Sequence, residues 1–121
     1  MKNRTDVHSR VDLLDTIPVH SDHVRTEWKD GCAVLAYPRF RHSWMRRWLL
    51  PKGMSPDIRV TLEDHGTAVW QLIDGERDVR TIIRLLASHF EGDSSYAFRV
   101  TAYLMQLRKD GFIRLLAPVH L

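Results

Sequence analysis

The side chains that most often do chemistry are scattered through this chain rather than grouped. Three of its seven histidines, His8, His20 and His23, fall within the first two dozen residues. Their spacing matches no metal-ligand motif, and the single cysteine does not lie near them. We therefore expect these histidines to be solvated and the chain to bind no metal.

Motifs for catalysis are equally hard to find. The sequence has no serine elbow, no glycine-rich loop that could cradle a phosphate and no paired cysteines. Cys32 stands in an apolar stretch, where a buried thiol is favoured over a nucleophile. His65 falls at the start of an expected helix, and His89 falls at the end of another, where a histidine also complements the helix dipole. We predict that the chain is not an enzyme and uses no cofactor.

The totals describe an ordinary globular chain. With 121 residues, 44% of them hydrophobic and 27% charged, there is room for one domain and a tail. A net charge of +3 permits binding to nucleic acid, anionic lipid or an acidic peptide without choosing among them. The sequence shows no apolar run that could span a bilayer and no secretory signal, and a lone cysteine cannot form an internal disulfide, so we expect a cytoplasmic setting.

The most regular part of the sequence runs from Leu62 to Ile113. Apolar residues recur there at i, i+3, i+4 and i+7, which predicts three short amphipathic helices. Each run is followed by a glycine that can close a helix C-terminus. The expected helices and their closing glycines are Asp64–Asp74 with Gly75, Val79–Phe90 with Gly92, and Ser95–Asp110 with Gly111. The side chains expected to accept hydrogen bonds at their N-termini are those of Asp64, Asp78 and Ser94 or Ser95.

Strand patterns come before these helices. Val24–Trp28 and Cys32–Tyr37 flank an Asp30-Gly31 pair that favours a tight hairpin turn, and Pro56–Leu62 alternates apolar with polar residues. Phe112–Leu116 is expected to form a last short strand or an extended segment returning to the sheet. The predicted fold is therefore α+β and winged helix-turn-helix-like, with a small three-stranded antiparallel sheet followed by a three-helix bundle.

Two segments lie outside this pattern. Residues 1–22 are expected to form a partly ordered arm that docks one short turn, ahead of a winged-helix domain over residues 23–121. Within that domain, residues 38–53 form a basic insert that carries Trp44 and Trp48. Such a segment can lie on an anionic membrane or contact nucleic acid. We expect instead that its tryptophans cover one end of the core while its arginines stay solvated.

From Leu62 to Ile113 the sequence resembles the PqqD-like family, also described as RiPP recognition elements. The matching residues are Gly66-Thr67-Ala68-Val69-Trp70, Leu72-Ile73-Asp74-Gly75, Val79, Ile82, Phe90, Val100, Tyr103-Leu104, Leu107 and Gly111-Phe112-Ile113. The resemblance implies three strands followed by three helices. It also implies a non-catalytic adaptor that captures the leader segment of a ribosomally made precursor peptide and presents it to a modifying enzyme, often a radical SAM protein.

In this family the leader adds as an extra strand to the third strand and lies against the third helix. The resemblance thus places the peptide-binding strand at Ile58, Arg59, Val60, Thr61 and Leu62, with Arg99, Tyr103 and Gln106 as the helical wall. We expect Arg59 and Arg99 to pair with leader carboxylates. The alternative is a winged-helix nucleic-acid-binding regulator, and a membrane-associated role through the basic insert is a third reading. The sequence fits either a monomer or a homodimer.

Overall fold

The computed structural model of the chain describes residues 12–39, 50 and 53–118. Within these residues the protein is α+β, with a three-stranded antiparallel sheet, a two-stranded sheet and three α-helices. The chain divides into two compact units, which we call the sheet unit (Asp22–Thr67) and the helical unit (Met1–Ser21 with Ala68–Leu121). Most of the predicted basic insert, including both of its tryptophans, lies outside the described residues.

The sheet unit confirms the three predicted strands. They are β2 (Arg25–Lys29), β3 (Cys32–Pro38) and β4 (Asp57–Thr61), paired antiparallel in the order β2-β3-β4. Asp30 and Gly31 connect β2 to β3 with φ angles of 53° and 81°. Positive φ at both central residues is what a type I′ hairpin turn requires, so the predicted turn is confirmed.

The central strand β3 is covered on both faces. Its four residues from Ala33 to Ala36 are all buried. On the face that carries Val34 and Ala36, the opposing residues of β2 and β4 are charged or polar, and ion pairs join them across β3. A short strand with apolar side chains on both faces therefore forms the core of this sheet.

A threonine hydroxyl completes the ladder where β4 runs into the first helix. Leu62 N–H donates to the carbonyl of Ala33 at 2.8 Å, but Ala33 N–H donates to Thr67 Oγ1 at 3.1 Å. The same hydroxyl donates to the carbonyl of Leu62 at 3.1 Å. Thr67 thus satisfies two buried backbone groups that the strand pair leaves open at this end.

The helical unit contains a second, two-stranded sheet that the sequence did not predict. β1 (Ile17–His20) pairs antiparallel with β5 (Ile113–Leu116), and Ser21 N–H donates to the carbonyl of Phe112 at 2.9 Å. The C-terminal segment is a strand, as one of the two expected forms had it, but it pairs with the N-terminal segment and not with the three-stranded sheet. In place of only a docked turn, the N-terminal segment forms a 3-10 turn (Leu13–Asp15) followed by β1.

Pro18 explains why β1 escapes recognition in the sequence. Proline in a strand usually argues against that strand, because it cannot donate to the ladder. The register places Ser21, Val19 and Ile17 in the hydrogen-bonded positions, so the nitrogen of Pro18 points away from β5. The absence of an N–H at Pro18 therefore removes no hydrogen bond between β1 and β5.

The three predicted helices are confirmed, with shorter bounds. They are α1 (Asp64–Leu72), which begins in the sheet unit and continues into the helical unit, α2 (Val79–Leu85) and α3 (Tyr96–Lys109). Gly75 and Gly111 follow α1 and α3 closely, with φ angles of 82° and 85°. Gly92 has a φ angle of 84° but lies seven residues beyond Leu85, so it does not close α2 as predicted. No helix among the described residues is long and apolar enough to cross a membrane.

Helix α2 stops five residues before the predicted end at Phe90. Tyr96 Oη donates to the carbonyl of Ile83 at 2.9 Å, and Ala87 N–H turns to the carbonyl of Arg84 instead. A side-chain donor from the next helix thus occupies a carbonyl that would continue the α-helical ladder. Tertiary contact overrides the apolar period here.

The predicted capping residues have different outcomes. Asp78 caps α2 as predicted and accepts a hydrogen bond from Thr81 N–H at 2.8 Å. Asp64 is the first residue of α1 and not its cap. Ser95 is the N-cap of α3, but its side chain makes no capping bond; its hydroxyl donates to Asp93 Oδ1 at 3.0 Å.

His20 of β1, which the sequence predicted to be solvated, is half-buried and stacks on Trp70 of α1 within the helical unit. The ring centroids lie 3.8 Å apart with an angle of 4° between the planes, and His20 Nε2 lies 3.4 Å from the carbonyl oxygen of Trp70. Trp70 is almost fully buried, and burial lowers the pKa of His20 below its ordinary value of 6.5, against the opposing effect of the contact with that carbonyl. The folded chain therefore favours the neutral imidazole.

Replacing Thr67 by valine should destabilise the protein without changing its shape. The change leaves two buried backbone groups without a partner, so we expect the free energy of unfolding to fall by about 1 to 3 kcal/mol. Thr67→Ser keeps the hydroxyl and serves as the control, with a smaller loss. Urea denaturation measures both, and equal losses for valine and serine would contradict the bridging role.

Stability should also fall when His20 gains a proton. Because the folded pKa is lowered, the unfolded chain binds the proton more readily, so this contribution is fully present above pH 6.5 and is lost as the pH falls toward the lowered pKa. Urea denaturation at about pH 7.5 and about pH 5.5 measures the loss, and His20→Phe should make it smaller. An unchanged pH dependence in His20→Phe would contradict the assignment.

Candidate functional site

The outer edge of β4 presents unpaired backbone groups. Hydrogen bonds from Leu62 N–H to Ala33 and from Arg39 N–H to Pro56 fix the phase of the β3–β4 ladder. Antiparallel strands point their backbone groups alternately to the partner and away from it. The backbone of Ile58 and Val60 therefore faces β3, and that of Arg59 and Thr61 faces the open edge. No strand among the described residues pairs with that edge.

The five predicted strand residues thus have three different settings. Arg59 and Thr61 are exposed and supply the outward N–H and C=O groups. Ile58 and Val60 are half-buried, with their side chains on the opposite face. Leu62 lies just beyond β4, is buried, and donates its N–H to β3. Leu62 is therefore a core residue that anchors the end of the strand.

The side chain of Arg59 already has a partner. Its Nε and Nη2 donate to the two carboxylate oxygens of Glu27 on β2, at 2.9 and 3.3 Å. A second pair joins Arg25 Nη2 to Asp57 Oδ2 at 2.7 Å. The guanidinium of Arg59 lowers the pKa of the Glu27 carboxyl below its usual range. An incoming carboxylate would therefore have to compete with Glu27 for Arg59.

The three predicted wall residues share one stripe of α3 in the helical unit, at the i, i+4, i+7 spacing of a helix face. Arg99 is largely exposed, with Nε 3.6 Å from Asp93 Oδ2. Gln106 donates from Nε2 to both carboxylate oxygens of Asp110 at 3.1 Å. Tyr103 is half-buried, and that burial raises the pKa of its hydroxyl.

Sequence reasoning missed the residues that set up the edge. Glu27 and Asp57 hold the two charged side chains that flank β3, and Thr67 closes the ladder beside Leu62. Alternation along each strand indicates which of its charged side chains lie on the same face of the sheet. Which charges of β2 and β4 form ion pairs across β3 depends on the register of the three strands, which the sequence does not show. The Gly66-Thr67 pair was visible as a motif, while the role of its hydroxyl was not.

The part of the chain that the structure describes holds no group of three or more histidine, cysteine, aspartate or glutamate side chains that could bind a metal ion. Cys32 is half-buried on β3.

The described residues form a small α+β domain whose candidate site is a strand edge. Residues 54–113 match the family model described as Coenzyme PQQ synthesis protein D (PqqD), so the chain carries a PqqD-family domain and the predicted family is confirmed. No curated protein and no solved structure gives a significant match to the chain.

The matched segment distinguishes the two open edges of the three-stranded sheet. It contains β4 and all three helices but not β2. The outer edge of β2 likewise has no strand partner among the described residues, and it carries Trp28 with 54% of its surface exposed. The matched segment therefore includes the open edge of β4 and not that of β2.

Removing the Arg59 guanidinium should return the pKa of Glu27 toward its ordinary value of 4.5. Because the pKa of Glu27 is lowered in the folded chain, folding favours its ionised form. The contribution of the Glu27–Arg59 pair to stability is therefore present above the pKa of Glu27 in the unfolded chain and is lost as the pH falls through its pKa in the folded chain. Arg59→Leu should raise the Glu27 pKa in an NMR titration. Arg25→Leu is the control and should raise it less, because Arg25 Nη2 lies 4.0 Å from Glu27.

Proposed function

We propose that this protein is a non-catalytic adaptor that binds an extended peptide by strand addition to β4. The observation that carries the proposal is the outward-facing backbone of Arg59 and Thr61 on an edge without a described strand partner, inside the matched family segment. An extended peptide can satisfy these groups with main-chain hydrogen bonds, which give affinity largely independent of its side chains.

The chemistry of β4 also suggests which peptide it takes. Side chains of an added strand alternate between the two faces of the sheet. On one face they would cover the half-buried Ile58 and Val60, and on the other they would lie beside the exposed Arg59 and Thr61. We therefore expect alternating apolar residues in the bound segment, with polar residues between them.

The family supplies the finer parts of the proposal. Family members are accessory proteins of PQQ synthesis. We therefore propose that the bound peptide is the leader of a precursor and that the partner is a modifying enzyme. For other family members this enzyme is often a radical SAM protein. We also propose that Arg99, Tyr103 and Gln106 contact the peptide and that the fold is winged helix-turn-helix-like. The resemblance and the shared stripe on α3 support this assignment.

The nucleic-acid alternative has less support. A recognition helix needs polar and basic side chains along the surface that enters a groove. α3 carries three exposed basic residues, Arg99, Arg108 and Lys109. Its surface also carries Phe98, with 77% of its surface exposed, and two half-buried tyrosines, Tyr96 and Tyr103, which suit phosphate contacts poorly. Binding to duplex DNA that weakens steeply with added salt would reverse this judgement.

Thr61→Pro should weaken peptide capture and leave the fold intact. The N–H of Thr61 points to the open edge, so proline removes a donor for the peptide and none from the β3–β4 ladder. Val60 is unsuitable because its N–H faces β3. For a precursor peptide recovered with the tagged chain from its host, we expect the Kd to rise about tenfold or more by isothermal titration calorimetry.

Thr61→Val is the matched control, because it removes the hydroxyl but keeps the backbone donor. Its Kd should stay within about threefold of the wild-type value, since the change leaves the main-chain hydrogen bonds in place. Circular dichroism checks that both variants fold. A folded Thr61→Pro variant with wild-type affinity would contradict strand addition at β4.

A further inference from the structure

A second surface of the protein has the form of a docking site. Within the helical unit, α2, α3 and the 3-10 turn border an open groove of about 330 Å³, lined by Leu14, Arg80, Ile83, Ala97, Phe98 and Thr101. Apart from Arg80 and the Thr101 hydroxyl, the lining side chains are apolar. Phe98 stands at its side with 77% of its surface in water. A large aromatic side chain left exposed beside an apolar groove is typical of a binding surface.

This groove lies on a different side of α3 from the predicted peptide wall. Successive residues of an α-helix are rotated by about 100°. Val100, Leu104 and Leu107 form the buried stripe of α3, with Arg99, Tyr103 and Gln106 to one side of it. The groove residues Ala97, Phe98 and Thr101 lie to the other side. One helix thus presents two separate exposed faces flanking its core stripe.

The two helices that form the groove carry positive charges and no negative ones. α2 and α3 contain no aspartate or glutamate, and their basic residues are Arg80, Arg84, Arg99, Arg108 and Lys109. Arg84 follows Arg80 by one turn of α2, and Arg108 follows Thr101 by two turns of α3. Arg84 therefore lies on the same face of α2 as Arg80, and Arg108 lies on the same face of α3 as Thr101. Each arginine is near the C-terminal end of its helix, where a cation is favoured by the helix dipole.

The chain's own N-terminal segment forms one side of the groove. In Asp12-Leu13-Leu14-Asp15 the side chain of Leu14 lines the groove, and the two carboxylates lie near Arg80, with Nη2 3.1 Å from Asp15 Oδ1 and 3.7 Å from Asp12 Oδ2. Val79 N–H donates to the carbonyl of the next residue, Thr16, at 2.9 Å. A leucine flanked by acids is thus already held against α2, and the rest of the groove continues past it.

We propose that the groove between α2 and α3 binds an acidic amphipathic helix of a partner protein. Its apolar residues would pack on Ile83 and Phe98, and its carboxylates would reach Arg84 and Arg108. The concave, apolar floor suits inserted side chains better than phosphate groups or a lipid surface, which would meet the cations but leave the floor uncovered. The site does not depend on peptide capture by β4.

A designed peptide serves as the probe. It is a helix with leucines at i, i+3, i+4 and i+7 and glutamates at the remaining positions, and its companion has the same composition with the leucines spread around the helix. Fluorescence anisotropy should show saturable binding of the first peptide to the full chain. The companion should bind about tenfold more weakly or worse, because it cannot present one apolar face.

Two substitutions test the two halves of the proposed contact. Phe98→Ser removes the exposed aromatic, and Arg84→Glu reverses a charge at the rim, and each should weaken binding of the probe about tenfold. A probe with lysine in place of the glutamates that face α2 should bind Arg84→Glu better than wild type. The controls Leu85→Ser and Arg114→Glu change exposed residues outside the groove and should leave the affinity within about twofold.

Several results would overturn the proposal. The first is absence of probe binding, and the second is equal affinity for the two peptides or for Phe98→Ser and wild type in folded protein. A dimer in sedimentation velocity that Phe98→Ser dissociates would assign the groove to a second copy of the chain. Binding to anionic phospholipid vesicles or to duplex DNA that is lost in Phe98→Ser would assign it to those partners instead.

Discussion

The antiparallel pairing of β4 with β3 is the constraint on which the candidate site depends. Hydrogen bonding alternates along such a pair, so each residue of β4 gives its backbone either to β3 or to the open edge. Two hydrogen bonds at the ends of the ladder set this alternation: Leu62 N–H donates to the carbonyl of Ala33, and Arg39 N–H donates to the carbonyl of Pro56. A shift of one residue would turn Arg59 and Thr61 inward and reverse the faces of Ile58 and Val60. Thr67 supports the candidate site for the same reason, because its hydroxyl holds the end of the ladder in register.

Helix α3 organises the other unit in a comparable way. Its period places three buried residues on one stripe and leaves exposed faces on both sides of that stripe. One of these faces carries the residues that the family resemblance assigns to peptide binding. The other borders an apolar groove whose helices carry cations only. A helix of fourteen residues can therefore serve two partners, provided that neither needs the buried stripe.

Much of the fold could be predicted because its signals are local. The Asp30-Gly31 turn, the alternation at Ile58 and Val60, and the glycines after α1 and α3 each depend on neighbouring residues, and the structure bears them out. The β1–β5 sheet could not be predicted in the same way. Its strands lie almost a hundred residues apart, and Pro18 masks the first of them. Helix α2 was predicted too long, because the contact of Tyr96 with Ile83 has no local sequence signal.

The sequence by itself determined most of the elements, the family and the strand that offers an edge. Local backbone preferences and apolar periods indicate the helices and strands, and a motif spread over Leu62 to Ile113 indicates the family. Only the tertiary structure decided which groups of β4 face outward, that Glu27 already holds Arg59, and that Leu14 joins Phe98 in one groove. These facts depend on strand register and on contacts between distant residues, which are set by packing and hydrogen bonding in the folded chain.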